Sequence, residues 1–108
     1  MTLTARQVEV LCTLLPRPLT PKNVALQVSG STSAATRVCN TLCNKRLAYP
    51  DVPPFGEDGR VWFVVTSAGE AWVRDNRTRV EAVHRDLGFT PEEVASLWPG
   101  VHNDASRA

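Results

Sequence analysis

The chain has 108 residues, of which 43% are hydrophobic and 21% are charged, and its formal net charge at pH 7 is +1. This length and composition predict one soluble globular domain with a modest core. No apolar run approaches the roughly 18 residues of a membrane span, and the N-terminus lacks the basic and apolar regions of a signal peptide. Three cysteines without a spaced framework favour a reducing compartment. We therefore expect a cytoplasmic protein without a membrane partner.

The positive charge is concentrated in the first half of the chain. Residues 1–46 hold six basic residues against Glu9 alone, whereas residues 47–108 hold six arginines against ten acids. The first half therefore has a net charge of +5 and the second half of −4. A positive field attracts a polyanion, so residues 1–46 are the better candidate for contacting nucleic acid.

Two short helices are predicted at the N-terminus. In "LTARQVEVLCTLL", Thr4 and Gln7 have the spacing of a capping box, and Pro16 ends the helix because the residue before a proline avoids the α region. In "TPKNVALQVSG", Thr20 is the expected N-cap and Pro21 occupies the first helical position, where a missing N–H costs nothing. We expect this second helix to close at Gly30.

A third helix is predicted in "STSAATRVCNTLCNKRL", with Ser31 as its N-cap. Its apolar residues recur at helical spacing and form one face: Ala35, Val38, Cys39 and Leu42. The opposite face is polar: Ser33, Thr36, Arg37, Asn40 and Thr41. Two short helices joined by a brief turn, the second with a polar outer face, predict a helix-turn-helix.

The rest of the chain predicts a β-hairpin and further helices. The stretch "DVPPFGEDG" indicates a loop between the extended "LAYP" and the strand "RVWFVVT". Ser67 and Glu70 predict a capping box for a helix over residues 68–87, and Thr90 caps a last short helix. This order predicts a mainly α protein with a small β-hairpin (α+β), namely a winged helix-turn-helix with a C-terminal helical extension. We divide the chain into a winged helix-turn-helix domain (1–75), a C-terminal extension (76–98) and a disordered tail (99–108).

The C-terminal extension carries an apolar repeat of about two heptads, with Asn76 at one of its core positions. We expect a homodimer through this region, since little sequence precedes Thr4. The candidate dimerisation residues are Val73, Val80, Val83, Leu87 and Trp98. The alternative is that these side chains fold back onto their own domain.

Several segments of residues 3–75 resemble the MarR-type winged-helix transcription regulators. They are "LTARQVEVLCTLL", "LTPKNVALQV", "ATRVCNTLCNKRLAY" and "VWFVVTSAGEAW". Recognition helices of the family typically carry a Thr-Arg pair, a leucine and a basic doublet, and the wing strand is followed by a glycine. The matching residues here are Thr36, Arg37, Leu42, Lys45, Arg46, Val65, Thr66 and Gly69. The family usually has glycine before the wing strand, where this chain has Arg46.

The resemblance implies a sequence-specific regulator of transcription whose partner is double-stranded DNA. Helix 31–46 would enter the major groove, where Arg37 can bind a guanine and Asn40 an adenine. Residues near helix N-termini would bind phosphates, and a basic residue of the wing would reach the minor groove. The candidate DNA-binding residues are Thr20, Lys22, Thr32, Ser33, Thr36, Arg37, Asn40 and Arg60.

Other functions are less well supported by the residues. A winged helix can bind a protein partner instead of DNA, and the acidic second half favours that alternative. Cys39 and Cys43 lie one turn apart and could bind metal, but core packing explains them, and Cys12, more simply. The chain has no phosphate-binding loop, nucleophile elbow or paired histidine motif, so we expect no enzyme and no cofactor. A phage or mobile element is a plausible setting for so compact a regulator.

Overall fold

The computed structural model describes residues 2–51 and 60–97, and within these residues it has six helices and one two-stranded antiparallel sheet. The elements are α1 (Ala5–Leu14), α2 (Pro21–Val28), α3 (Thr32–Asn44), β1 (Ala48–Asp51), β2 (Trp62–Val65), α4 (Ser67–Asp75), α5 (Arg77–Asp86) and α6 (Pro91–Ala95). The predicted mainly α winged helix-turn-helix is confirmed. None of the described helices is long and apolar enough to cross a membrane. The predicted hairpin loop and C-terminal tail lie outside the described residues.

Local capping rules determine where most helices begin. The side chains of four predicted N-caps accept a backbone N–H of their own first turn, as expected: Thr4, Thr20, Ser31 and Thr90. The prediction for α4 is wrong by one residue. Thr66, and not Ser67, caps α4 by accepting the Gly69 N–H at 3.0 Å. The reason is tertiary, because the Thr66 hydroxyl also donates to the Arg46 carbonyl at 2.7 Å.

Helix α1 is the centre of the fold. It packs against α2, α3, α5 and β2, and five of its ten residues are buried. The sheet lies beside it with β1 paired to β2, and Leu19 forms an isolated antiparallel bridge with Phe63 on the other edge of β2. Because this bridge ties the link between α1 and α2 to the wing, the helix-turn-helix and the hairpin share one core.

The predicted single helix over residues 68–87 is wrong, because the helix breaks at Asn76, where φ is −115° and ψ is 33°. Asparagine favours such a break, since its side chain competes for backbone hydrogen bonds. Here the Asn76 amide donates to the Trp72 carbonyl at 2.8 Å. Asn76 therefore caps α4 of its own chain, and the prediction that it lies in a seam between two chains is wrong.

The break turns α5 back against α1, so that residues on both sides of position 75 contribute to one core. Val73, Val80 and Val83 are at most 2% exposed within their own chain. These three residues cannot form the predicted heptad seam, and the alternative, that they fold back onto their own domain, is what the structure shows. Leu87 remains 45% exposed, and Trp98 lies outside the described residues.

Candidate nucleic-acid interface

The turn between α2 and α3 sets the direction in which α3 leaves the core. Helix α2 ends at Ser29, which adopts the left-handed conformation with φ of 54°. The sequence predicted Gly30 as the closing residue, but the left-handed position is one residue earlier. The Gly30 N–H donates to the Ala25 carbonyl at 3.2 Å, which satisfies one of the free carbonyls at the end of α2.

Helix α3 has one buried face and one polar face, as predicted. Ala35, Cys39 and Leu42 are at most 4% exposed and anchor the helix to the core. The opposite side exposes four of the predicted DNA-binding residues to solvent: Thr32, Ser33, Arg37 and Asn40. These residues lie on the first two and a half turns of α3, so the polar surface is concentrated toward its N-terminal half.

Two of the predicted DNA-binding threonines have other partners in the structure. Thr20 is only 6% exposed, and its hydroxyl accepts the Asn23 N–H at 3.3 Å. It is therefore a buried cap of α2, and its burial does not support the predicted phosphate contact. Thr36 is half-buried, and its hydroxyl donates to the Thr32 carbonyl of its own helix at 2.9 Å. That hydroxyl can still accept a hydrogen bond from a ligand.

The sequence around α3 is basic and free of acidic residues, since residues 10–50 contain neither Asp nor Glu. Five basic side chains of this part of the chain are exposed or half-buried: Arg17, Lys22, Arg37, Lys45 and Arg46. Arg60 is exposed just before β2 on the wing. The exposed basic residues of this half of the chain therefore suit contact with a polyanion.

The connection from α3 to the wing depends on two residues whose geometry the sequence did not reveal directly. Arg46 has φ of 63°, the left-handed conformation that glycine adopts most easily. The glycine usual at this place in MarR-type proteins was the only signal for it. At Gly69, a Cβ atom would lie 2.2 Å from the Leu47 carbonyl oxygen, so α4 can approach the chain between α3 and β1 this closely only with glycine.

The cysteines pack in the core, as predicted. Cys12 and Cys39 are buried, and burial raises the pKa of each thiol from 9.0 to about 12. Cys43 is half-buried, and desolvation also raises its pKa. Raised pKa values disfavour the thiolate that metal binding and oxidation need. The residues described contain no group of three His, Cys, Asp or Glu that could hold a metal ion.

Comparison with known proteins gives solved structures only, since no family model and no curated protein matches the chain. Apo wild-type MarR from Escherichia coli is 27% identical, with a TM-score of 0.65 over 88% of this chain and 73% of that one. A cysteine-to-serine mutant of Escherichia coli MarR complexed with operator DNA is also 27% identical, with a TM-score of 0.65 over 88% and 70%. ZitR, a zinc-responsive MarR family member from Lactococcus lactis, is 19% identical, with a TM-score of 0.63 over 99% and 77%.

Proposed function

We propose, from the MarR-type winged-helix fold of this chain, that it is a sequence-specific double-stranded DNA-binding protein that regulates transcription. The observation that carries the proposal is the two-sided character of α3. Its apolar side is buried in the core, whereas its polar side is exposed to solvent at Thr32, Ser33, Arg37 and Asn40. A helix fixed in this way can enter the major groove without a change in fold.

The exposed residues divide into two functional groups. Arg37 and Asn40 lie three positions apart on α3, so both can reach base edges in one groove. Arginine binds guanine O6 and N7 through two N–H groups, and asparagine binds adenine N6 and N7. Thr32 and Ser33 lie in the first turn of α3, where backbone N–H groups and hydroxyls favour a phosphate, and Lys22 adds a positive charge from α2.

The known proteins of this fold support the same proposal. One structural neighbour is complexed with operator DNA, and another, 28% identical, is named the Multiple Antibiotic Resistance Repressor. We further infer that the protein is a cytoplasmic regulator and has no enzymatic activity. We further propose a homodimer, because a protein that contacts two half-sites of a palindromic operator needs a two-fold axis.

A selection experiment followed by titration tests the proposal. Duplexes enriched from a random library would be labelled and titrated with the full chain at about 50 and about 200 mM salt. We expect an enriched sequence that binds much more tightly than an unrelated duplex, with affinity that falls steeply as salt rises. The absence of salt-sensitive binding to any duplex at low ionic strength would overturn the DNA proposal, and a protein partner would then become the leading alternative.

A further inference from the structure

A groove on the side of the helix-turn-helix is not used by the proposed DNA contacts. It has a volume of about 450 Å³ and lies between the link that precedes α2, the outer face of α2, and β2. Its apolar lining includes Leu19, Leu26 and Trp62. Asn23 and Arg17 provide an amide and a positive charge in the same lining.

Leu26 distinguishes this groove from ordinary surface. The other apolar residues of α2 that face the core are buried, whereas Leu26 is 74% exposed and is the most exposed large apolar side chain of the described residues. A single exposed leucine is common in proteins. Here, however, Leu26 shares a concave surface with the half-buried Trp62, and tryptophan is enriched where proteins bind partners.

The backbone at the groove indicates how an occupant would bind. The Leu19 N–H and carbonyl are both paired with Phe63, at 3.3 and 2.8 Å. The neighbouring Pro18 has no N–H to donate. Addition of a strand to this edge is therefore disfavoured, and an occupant must bind through its side chains.

The charge of the lining indicates the chemistry of the occupant. Arg17 is exposed and none of the lining residues is acidic, whereas Asp51, the strand partner of Trp62, lies outside the lining. A phosphate backbone would match Arg17 but would leave the leucine and tryptophan surface without an apolar partner. A protein segment with a bulky apolar side chain beside a carboxylate matches both features.

We propose that this groove, defined by Arg17, Leu26 and Trp62, is a docking site for an acidic, apolar segment of a partner protein. The apolar side chain of the segment lies against Leu26 and Trp62, and its carboxylate pairs with Arg17. This site is separate from the polar face of α3, so the inference does not depend on the proposed DNA binding. The docking site would allow the protein to bind a partner protein while α3 lies in the major groove of DNA.

Selection from a random peptide library displayed on phage tests the docking site. The full chain serves as target, and a Leu26→Ser, Arg17→Glu double variant serves for counter-selection. Both residues are exposed, so the variant should keep the thermal midpoint of the parent. We expect enriched peptides that combine a large apolar residue with Asp or Glu. A synthetic copy should bind each single variant at least about tenfold more weakly than the parent.

A control and a mapping experiment separate the possible outcomes. Leu87→Ser removes an exposed leucine outside the groove and should leave peptide affinity unchanged. In NMR titrations of the full chain, the peptide should shift the Trp62 indole signal and leave the Arg37 signals in place. The proposal is overturned if no peptide is enriched, if the Leu26→Ser variant binds equally well, or if the shifts centre on α3. It is also overturned if duplex DNA, rather than the peptide, shifts the groove signals.

Discussion

The guanidinium of Arg6 on α1 donates to the carbonyl of Val28, the last residue of α2, and the same nitrogen lies 3.0 Å from a carboxylate oxygen of Glu9. The last carbonyl groups of a helix have no intrahelical hydrogen-bond donor, and Val28 carries one of them. A cation is favoured at this end of the helix by the helix dipole. This contact therefore ties the central helix to the turn that directs α3.

The Arg6 contact predicts a stability difference between two substitutions. Arg6→Ala removes the hydrogen bond to Val28 and should lower the free energy of unfolding by about 1–2 kcal/mol. Glu9→Gln removes only the pairing within α1, where Arg6 is half exposed, and should cost at most about 0.5 kcal/mol. Urea unfolding measures both. An equal cost for the two variants would show that the bond to Val28 does not stabilise the turn.

Two basic residues should affect DNA binding in different ways if the proposed function is correct. Arg37→Ala should cost about 1–3 kcal/mol of binding to the selected sequence and relax its preference at one base pair. Lys22→Ala should weaken all sequences alike and reduce the salt slope by about 1. Anisotropy titrations with specific and unrelated duplexes at several salt concentrations separate these effects. A uniform loss in Arg37→Ala would assign that residue to the phosphates instead.

The close approach of α4 to the chain after α3 predicts a strong effect at Gly69. A Cβ there would lie 2.2 Å from the Leu47 carbonyl oxygen and 2.7 Å from a Val65 methyl group, so Gly69→Ala must displace backbone. We expect a loss of about 1–3 kcal/mol or more in the free energy of unfolding. Gly30→Ala is the matched control, because nothing lies within 4 Å of a Cβ at that position. Similar thermal midpoints for the two variants would contradict the predicted packing.

The sequence predicted those parts of the fold that depend on neighbouring residues. Ser31 and Thr90 cap their helices because an N-cap bonds to a backbone N–H three residues away. The amphipathic α3 follows equally from local periodicity. The break at Asn76 could not be predicted in the same way, because heptad spacing alone does not show that α5 packs against α1.

In the candidate interface, too, some features follow from neighbouring residues and others from tertiary packing. The exposure of Arg37 and Asn40 follows from the period of α3. The burial of Thr20 depends on its position beside Leu19, which pairs with Phe63 more than forty residues later. The contact of Arg6 with Val28 also joins distant positions. Contacts of this kind have no signal in a single sequence, because only tertiary packing brings the partners together.

The buried thiols predict a loss of stability at alkaline pH. The pKa of Cys12 and of Cys39 is raised from 9.0 to about 12 by burial, so the unfolded chain releases these protons at a lower pH than the folded one. The stabilisation is complete below pH 9 and is lost as pH rises toward 12, by about 1.4 kcal/mol per pH unit for each thiol. Urea unfolding at increasing pH measures this slope.

Cysteine variants identify the source of that slope. Cys12→Ala should show a shallower dependence on pH above 9 than the parent, whereas Cys43→Ser should change it little, because Cys43 is only half-buried. At neutral pH, Cys39→Ala should cost more stability than Cys43→Ser, since Cys39 is fully buried. Identical slopes in the parent and Cys12→Ala would exclude ionisation of the Cys12 thiol as a cause. DNA binding that responds to peroxide would contradict a purely structural role.

The exposed end of α5 is where the proposed homodimer is best tested. Leu87 is 45% exposed, whereas Val80 and Val83 are in the core of their own chain. A truncation after Asp75 would remove these valines from the core and should unfold the protein, so the full chain must be used.

We expect a dimer of the full chain by light scattering at tens of micromolar. Leu87→Ser should shift this dimer toward monomer without lowering the thermal midpoint. Leu26→Ser, an exposed leucine on α2, should leave the dimer intact. A monomeric full chain would refute the homodimer, and loss of the dimer in Leu26→Ser alone would move its interface to α2.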